Sequence, residues 1–207
     1  MSSGRFITLE GGEGVGKSTQ AKALAQALGS RGLDVLVTRE PGGSDGAERI
    51  RELLLAGAEE RWGAPAEALL FAAARADHVE KVIRPALESG RWVLCDRFVD
   101  SSLAYQGGAG GLGIETVRSI NAVAVSDVLP DRTLVLMLDQ GSERARARDS
   151  GSSDRIGGRP DDYHRKVEAA FRIIAAEEPE RVQLIDASGS AEEVTKRLLD
   201  AIKDLHP

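Results

Sequence analysis

"FITLEGGEGVGKSTQAKAL", residues 6–24, runs from an apolar strand-like segment through a glycine-rich turn into a helical pattern. Within it, residues 11–18 read G-G-E-G-V-G-K-S, which fits the pattern G-x-x-x-x-G-K-[ST]. Glycines let consecutive backbone N–H groups turn toward one phosphate, and the following helix adds its positive N-terminal end. The stretch therefore predicts a strand, a loop that binds a nucleoside triphosphate, and a helix.

The side chains of this loop have separable predicted roles. The ammonium of Lys17 is expected to contact the β- and γ-phosphates, and the hydroxyl of Ser18 to ligate Mg²⁺. A carboxylate beside a polyphosphate is electrostatically unfavourable, so Glu13 is expected to serve another purpose in the site. The predicted nucleotide-binding residues are Gly11, Gly12, Glu13, Gly14, Val15, Gly16, Lys17, Ser18 and Thr19.

Short apolar runs alternate with longer helical patterns along the rest of the chain. The predicted strands cover 5–10, 34–40, 91–96, 133–139 and 181–186. Nearly continuous apolar strands separated by helices are typical of an α/β fold, a doubly wound five-stranded parallel sheet flanked by helices. We interpret residues 1–207 as one such domain.

Ligands of such sheets bind at the carboxyl ends of the strands. Charged residues end all five predicted strands, and some of them should face one crevice: Glu10, Glu40, Asp96, Asp139 and Asp186.

Two stretches interrupt the alternation of strands and helices. Residues 106–113, "QGGAGGLG", predict a mobile loop, and about 144–160 predicts a mobile insertion that carries several arginines.

Composition excludes several classes of protein. The net charge of −6 argues against a general nucleic-acid binder, and no apolar run is long enough to span a membrane. The N-terminus lacks the apolar core of a secretory signal, so the sequence predicts a cytoplasmic protein. Cys95 is expected to be a buried strand thiol, and the three histidines have no zinc-binding spacing with it.

The arginines indicate the phosphoryl acceptor. No N-K-x-D motif for guanine is present, and 207 residues leave little room for a motor or transporter, so a small kinase fits best. A sugar hydroxyl would need a general base, whereas a phosphate monoester is already a nucleophile because its second pKa is about 6. Two polyanions then need cations between them. Suitable cations are Arg39, Arg75, Arg97, Arg144, Arg146, Arg148 and Arg155, and this set predicts a nucleoside monophosphate kinase with an arginine-bearing lid.

Four strings in this order resemble bacterial thymidylate kinases: "FITLEGGEGVGKSTQ", "TREPGG", "DRFVDSSLAYQG" and "RARARDSGSSDRI". The resemblance runs along nearly the whole chain, and the third string is far more specific than the phosphate loop. It implies a P-loop kinase fold and transfer of the γ-phosphoryl of ATP to dTMP, giving ADP and dTDP for dTTP biosynthesis. It also implies Mg²⁺ as cofactor and a homodimer.

The resemblance also implies roles for individual residues. Arg97 would bind the phosphate of dTMP, and Arg39 would lie near that phosphate. Asp96 would bind Mg²⁺ through water. Phe71 would stack on thymine, and Arg75, on the same helix face, would hydrogen-bond the edge of the base. The rest of the dTMP pocket would be lined by Ser101, Ser102, Tyr105 and Gln106, with Tyr105 crowding the 2′ position of the sugar.

The implied catalytic residues are Lys17, Arg97, Glu13, Arg148 and Arg155. Glu13 would contact the 3′-hydroxyl of dTMP or the metal region, and Thr19, outside this set, would donate to the α-phosphate. The phosphate loop carries no arginine, so Arg148 and Arg155 in the lid are expected to contact the transition state.

Alternatives stay open from the residues alone. The acceptor could be another monophosphate or a deoxynucleoside, and the chain could be a nucleotide-binding module without activity. Phe71 could pack only in the core. The apolar faces of 66–79 and 114–125 could form a dimer contact or belong to the core of one chain.

Overall fold

A computed structural model describes residues 4–57, 61–138 and 156–205. Its five strands are β1 (Phe6–Gly11), β2 (Val35–Arg39), β3 (Trp92–Asp96), β4 (Arg132–Met137) and β5 (Val182–Asp186). They form one parallel sheet in the order β2-β3-β1-β4-β5. The predicted doubly wound sheet is therefore confirmed, with strand ends that differ from prediction by at most two residues. Asp139 lies outside the described residues.

Helices cover both faces of the sheet. They are α1 (Lys17–Gly29), α2 (Asp45–Leu55), α3 (Ala64–His78), α4 (Arg84–Glu88), α5 (Val99–Ser102), α6 (Ile114–Val125), α7 (Asp161–Glu177) and α8 (Ala191–Ala201). A π-helical segment, Val79–Ile83, joins α3 to α4 without a break. None of the helices in the described ranges is long and apolar enough to cross a membrane.

Alternate strand residues point to opposite faces and build two sides of the core. On one face Leu9 and Leu134 pack with Leu24 of α1 and Leu198 of α8. On the other face Val135 and Met137 of β4 pack against α7, where the side chain of Phe171 has no exposed surface. Cys95 is buried, as predicted, in a third cluster that includes Ile83 and Phe98.

The glycine-rich stretch after α5 corrects one prediction. Residues Leu103–Ala109 form a π-helical segment, so the prediction of a mobile loop over 106–113 is wrong for residues 106–109. A Cβ added to Gly108 would lie 2.6 Å from the Cβ of Ala170 on α7. Glycine therefore serves close packing here, and burial between α6 and α7 overrides its low helix propensity.

The predicted arginine-bearing insertion falls mostly outside the described residues. Arg144, Arg146, Arg148 and Arg155 all belong to the part that is not described. The description resumes at Ile156, which is buried against the core formed by the 103–109 segment and α7. The chain then enters α7 at Asp161.

Candidate active site

A cavity of about 570 Å³ opens at the carboxyl ends of β1, β2 and β3. This is the edge at which a parallel sheet is expected to bind ligands. The predicted residues that line it are Glu13, Gly14, Val15, Gly16, Lys17, Ser18, Thr19, Arg39, Phe71, Arg75, Asp96, Arg97, Ser101, Ser102, Tyr105 and Gln106. The fold thus gathers in one crevice most of the residues selected from the sequence.

The phosphate loop follows β1 directly, and its glycines adopt backbone angles that other residues avoid. Gly11 has φ 128°, and a Cβ there would lie 2.4 Å from the carbonyl oxygen of Leu136 on β4. Gly16, with φ 93°, is the residue before α1. Glycine is therefore required where the chain leaves the sheet and favoured where it enters the helix.

Lys17 is almost fully buried at the start of α1. Its Nζ donates to the carbonyl oxygens of Gly12 at 2.6 Å and Gly11 at 3.4 Å. Burial, reinforced by the charge of Arg97, lowers the pKa of Lys17 to about 8. The loop therefore holds a buried ammonium group whose charge a phosphate can neutralise.

Ser18, in the first turn of α1, and Asp96, at the end of β3, bring two side-chain oxygen atoms together. The Ser18 hydroxyl donates to Oδ2 of Asp96 at 2.7 Å. Within 4–57, 61–138 and 156–205, no three His, Cys, Asp or Glu side chains are grouped to hold a metal by themselves. Mg²⁺ commonly takes one or two protein oxygens and completes its shell with water and substrate phosphates, so this donor pair fits that ion.

Arg97 follows β3 with φ 69°, in the left-handed region that disfavours most side chains. Its Nη1 donates to the carbonyl oxygen of Gly11 at 2.9 Å and to Ser101 Oγ at 3.1 Å. Its Nη2 donates to Oε1 of Glu13 at 2.6 Å, and the guanidinium lies over the ring of Tyr105. The strained backbone thus aims the guanidinium back at the phosphate loop.

Glu13 connects the phosphate loop to Arg97 and Tyr105. The Arg97 guanidinium is the main cause that lowers the pKa of Glu13 to about 2. The Tyr105 hydroxyl donates to the same carboxylate oxygen at 3.2 Å. This pairing resolves the unfavourable charge that the sequence placed inside a phosphate-binding loop.

Glu10 is a supporting residue that sequence reasoning recognised only as a strand end. Its carboxylate is fully buried and accepts hydrogen bonds from Ser101 Oγ and, at 2.7 Å, from the backbone N–H of Phe98. Burial, together with the nearby charge of Asp100, raises the pKa of Glu10. Glu10 therefore holds the turn from which Arg97 projects.

Arg75 is held by a network that the sequence did not reveal. Its guanidinium donates to Glu40 Oε2 at 2.7 Å, Ser102 Oγ at 3.1 Å, the carbonyl oxygen of Phe98 at 3.0 Å, and Asn121 Oδ1. A guanidinium has five N–H groups, so within the part of the chain that the structure describes these four contacts leave one N–H, on Nη2. These contacts hold the Arg75 side chain in place at the cavity wall.

Phe71 and Arg39 occupy opposite situations. Phe71, one turn before Arg75 on α3, lines the cavity and also packs against the core around the 103–109 segment. Arg39 also lines the cavity, but its side chain is 54% exposed and pairs with Glu48 at 2.9 Å. The structure therefore places Phe71 in the packed wall of the cavity and Arg39 at its solvent-exposed rim.

Several lining residues were missed from the sequence. Arg51 on α2 lines the cavity and donates to the carbonyl oxygen of Pro41 at 2.6 Å. The loop after β5 contributes Ala187, Gly189 and Ser190, and the first residue of α8 contributes Ala191. The small residues that follow the charged end of β5 were the available signal for this loop. No comparable signal marked Arg51 among the charges of α2.

Comparisons with known proteins agree with one another. A family model described as thymidylate kinase matches residues 9–198. A thymidylate kinase of Rhizorhabdus wittichii is 62% identical over 206 residues, 99% of each chain. One of Rhodopseudomonas palustris strain TIE-1 is 52% identical over 204 residues, 97% of this chain and 89% of that protein. The crystal structure of thymidylate kinase from Ehrlichia chaffeensis is 30% identical with a TM-score of 0.79, covering 97% of this chain and 99% of the other.

Proposed function

This chain belongs to the thymidylate kinase family, and from that premise we propose that its crevice transfers the γ-phosphoryl group of ATP to dTMP, giving ADP and dTDP. One observation carries the proposal. Lys17 and Arg97 both donate to the carbonyl oxygen of Gly11, at 3.4 and 2.9 Å. Two cations from distant parts of the chain therefore meet at one point of the phosphate loop.

These cations address the main obstacle of the reaction, which is repulsion between two phosphate groups. Lys17 and the loop N–H groups hold the β- and γ-phosphates of ATP, and Thr19 contacts the α-phosphate. Arg97 holds the phosphate of dTMP with one of its oxygens facing the γ-phosphorus. Because the monoester is largely ionised at pH 7, no side chain needs to remove a proton from it.

The remaining predicted residues orient the two substrates. Phe71 stacks on thymine and Arg75 contacts its edge, while Tyr105 limits space beside the sugar. When bound by Ser18 and, through water, by Asp96, Mg²⁺ supplies charge neutralisation on the phosphate oxygens. Arg148 and Arg155, outside the described residues, complete the proposed set as cations that close over the transition state.

A coupled assay of ADP release tests the proposal with dTMP, dUMP, dCMP, dAMP, dGMP and thymidine as acceptors. We expect dTMP to give the highest kcat/KM. Arg97→Ala should reduce kcat/KM for dTMP by the equivalent of about 2–5 kcal/mol, since a buried charge contact is lost. Arg165→Ala, whose side chain is 68% exposed on α7, is the matched control. Equal or better turnover of thymidine would refute a monophosphate kinase.

We also propose a homodimer, which is supported by apolar side chains on two packed helices. Leu69 on α3 is 57% exposed and Val123 on α6 is 88% exposed. Light scattering coupled to size exclusion would give twice the chain mass, and a monomer at micromolar concentration would contradict the proposal. The cytoplasmic location stays a prediction from the sequence.

A further inference from the structure

A buried carboxylate joins the acceptor wall to the residues that follow the undescribed segment. Glu67, in the first turns of α3, is 2% exposed. Its Oε1 accepts from Nε2 of Gln106 at 3.0 Å, and its Oε2 accepts from Nη2 of Arg159 at 2.8 Å. One carboxylate thus bridges a cavity-lining amide and a guanidinium 53 positions further along the chain.

Arg159 also supports the backbone beside that amide. Its guanidinium lies over the ring of Tyr163 at 4.5 Å and donates to the Tyr163 hydroxyl. That hydroxyl donates to the carbonyl oxygen of Tyr105 at 2.8 Å. Arg159 therefore supports two consecutive residues of the 103–109 segment. Through Glu67 it holds the side chain of Gln106, and through Tyr163 it holds the backbone of Tyr105.

The bridge determines the orientation of the Gln106 amide. A carboxylate paired with a guanidinium only accepts hydrogen bonds, so the amide nitrogen must face Glu67. Exchanging the amide atoms would set a carbonyl oxygen against a carboxylate oxygen. Gln106 is 3% exposed, so no solvent-facing rotamer relieves that repulsion. The donor and acceptor ends of the amide therefore have fixed positions in the cavity wall.

The same helix face frames the proposed base site. Glu67, Phe71 and Arg75 are spaced four residues apart on α3, and all lie on the side of the helix that meets residues 102–109. Thymine presents an N3–H donor and an O4 acceptor, whereas cytosine presents an N3 acceptor and an N4 amino donor. An amide of fixed orientation distinguishes these patterns, and a freely flipping amide does not.

We propose that Arg159 is a positioning residue which, through Glu67, fixes the Gln106 amide and thereby sets the preference for thymine over cytosine. The proposal deepens the proposed function and rests on it. Arg159 does not touch the reacting atoms, and its effect belongs to acceptor selectivity. KM for ATP should therefore not change.

The test measures the dissociation constants of dTMP and dCMP by titration calorimetry on the full chain. In Glu67→Gln, residue 67 can donate or accept, so the amide of Gln106 can flip. We expect the ratio of dCMP to dTMP dissociation constants to fall by about tenfold. Arg159→Gln should lower the ratio by about threefold, because Glu67 still accepts. Arg159→Lys, which keeps the charge, should retain more of the wild-type ratio.

Arg165→Gln serves as the control, since it removes an exposed arginine of α7, six residues after Arg159, without touching the bridge. Equal weakening of dTMP and dCMP binding in Glu67→Gln, or an unchanged ratio, would overturn the proposal. If Glu67→Gln does not fold by circular dichroism, the Arg159→Gln and Arg159→Lys pair decides in the same way. Wild-type protein that does not phosphorylate dTMP would instead refute the proposed function.

Discussion

Between Gly11 and Ser18 the chain prepares its site through backbone geometry, whereas the facing wall around Arg75 relies on buried side-chain charge. The loop needs glycine where φ is positive and places one lysine among carbonyl oxygens. The wall pairs Arg75 with Glu40, and both side chains are at most 3% exposed. Changes in the loop should therefore affect the reaction, and changes in the wall should also affect folding.

The largest expected effect tests the loop. Lys17→Ala should lower kcat by about 10³-fold, because it removes a preorganised cation from the transferred phosphate. Stability should hardly fall, since burial already disfavours the charged form and lowers the pKa of this group. Steady-state kinetics and urea unfolding measure the two effects. Lys22→Ala, exposed on α1, is the control. A variant that keeps full turnover would remove Lys17 from the mechanism.

The next effect tests the wall. Arg75→Ala should lower the free energy of unfolding by about 3–5 kcal/mol, because Glu40 keeps a buried charge without its guanidinium partner. Arg118→Ala, at a side chain that is 39% exposed and pairs with surface carboxylates, should cost about 1 kcal/mol or less. Urea denaturation at pH 7 compares the two variants. Equal costs would contradict a wall held by buried charge.

Glu13 sharpens the comparison because it belongs to the loop but pairs with Arg97 across the crevice. Arg97 lowers its pKa in the folded protein to about 2. The pairing therefore stabilises the fold above the ordinary glutamate pKa, and this stability is lost as pH falls from about 4.5 toward 2.

Wild type should accordingly lose about 2 kcal/mol more than Glu13→Gln between pH 5.5 and pH 2.5. This figure is reduced from the full pKa shift because the carboxylate is 31% exposed. Urea unfolding at four pH values across this range measures the difference. Glu48→Gln, at a rim carboxylate paired with Arg39, is the control. Parallel pH profiles for wild type and Glu13→Gln would show that the loop carboxylate is not coupled to Arg97.

The smallest effect separates the two substrates. Phe71→Ala should raise KM for dTMP roughly fivefold, about 1 kcal/mol of stacking, and leave KM for ATP unchanged. Ala73→Ser, at an exposed position of the same helix, controls for a general effect on α3. A parallel rise in both Michaelis constants would assign Phe71 to core packing alone.

The contrast between loop and wall also explains what the sequence could predict. The conformations of the phosphate loop and of the five strands are encoded by residues close together in the sequence. The loop motif and the runs of apolar residues were therefore sufficient to predict them. Glu40 and Asn121 meet Arg75 from positions 35 and 46 residues away, and no local pattern encodes those contacts. The glycines of 106–109 were misread because the partner that fits against Gly108, Ala170, lies on another helix.

The backbone of Arg97 has a consequence for attempts to make this protein more robust. A glycine or asparagine would adopt φ 69° at lower cost than arginine does. A search that selects for heat resistance alone would therefore accept such a replacement and lose the guanidinium that we propose binds the phosphate of dTMP. Screening libraries of this chain by survival of heating would enrich robust proteins that have lost their chemistry, so turnover has to be selected together with thermal tolerance.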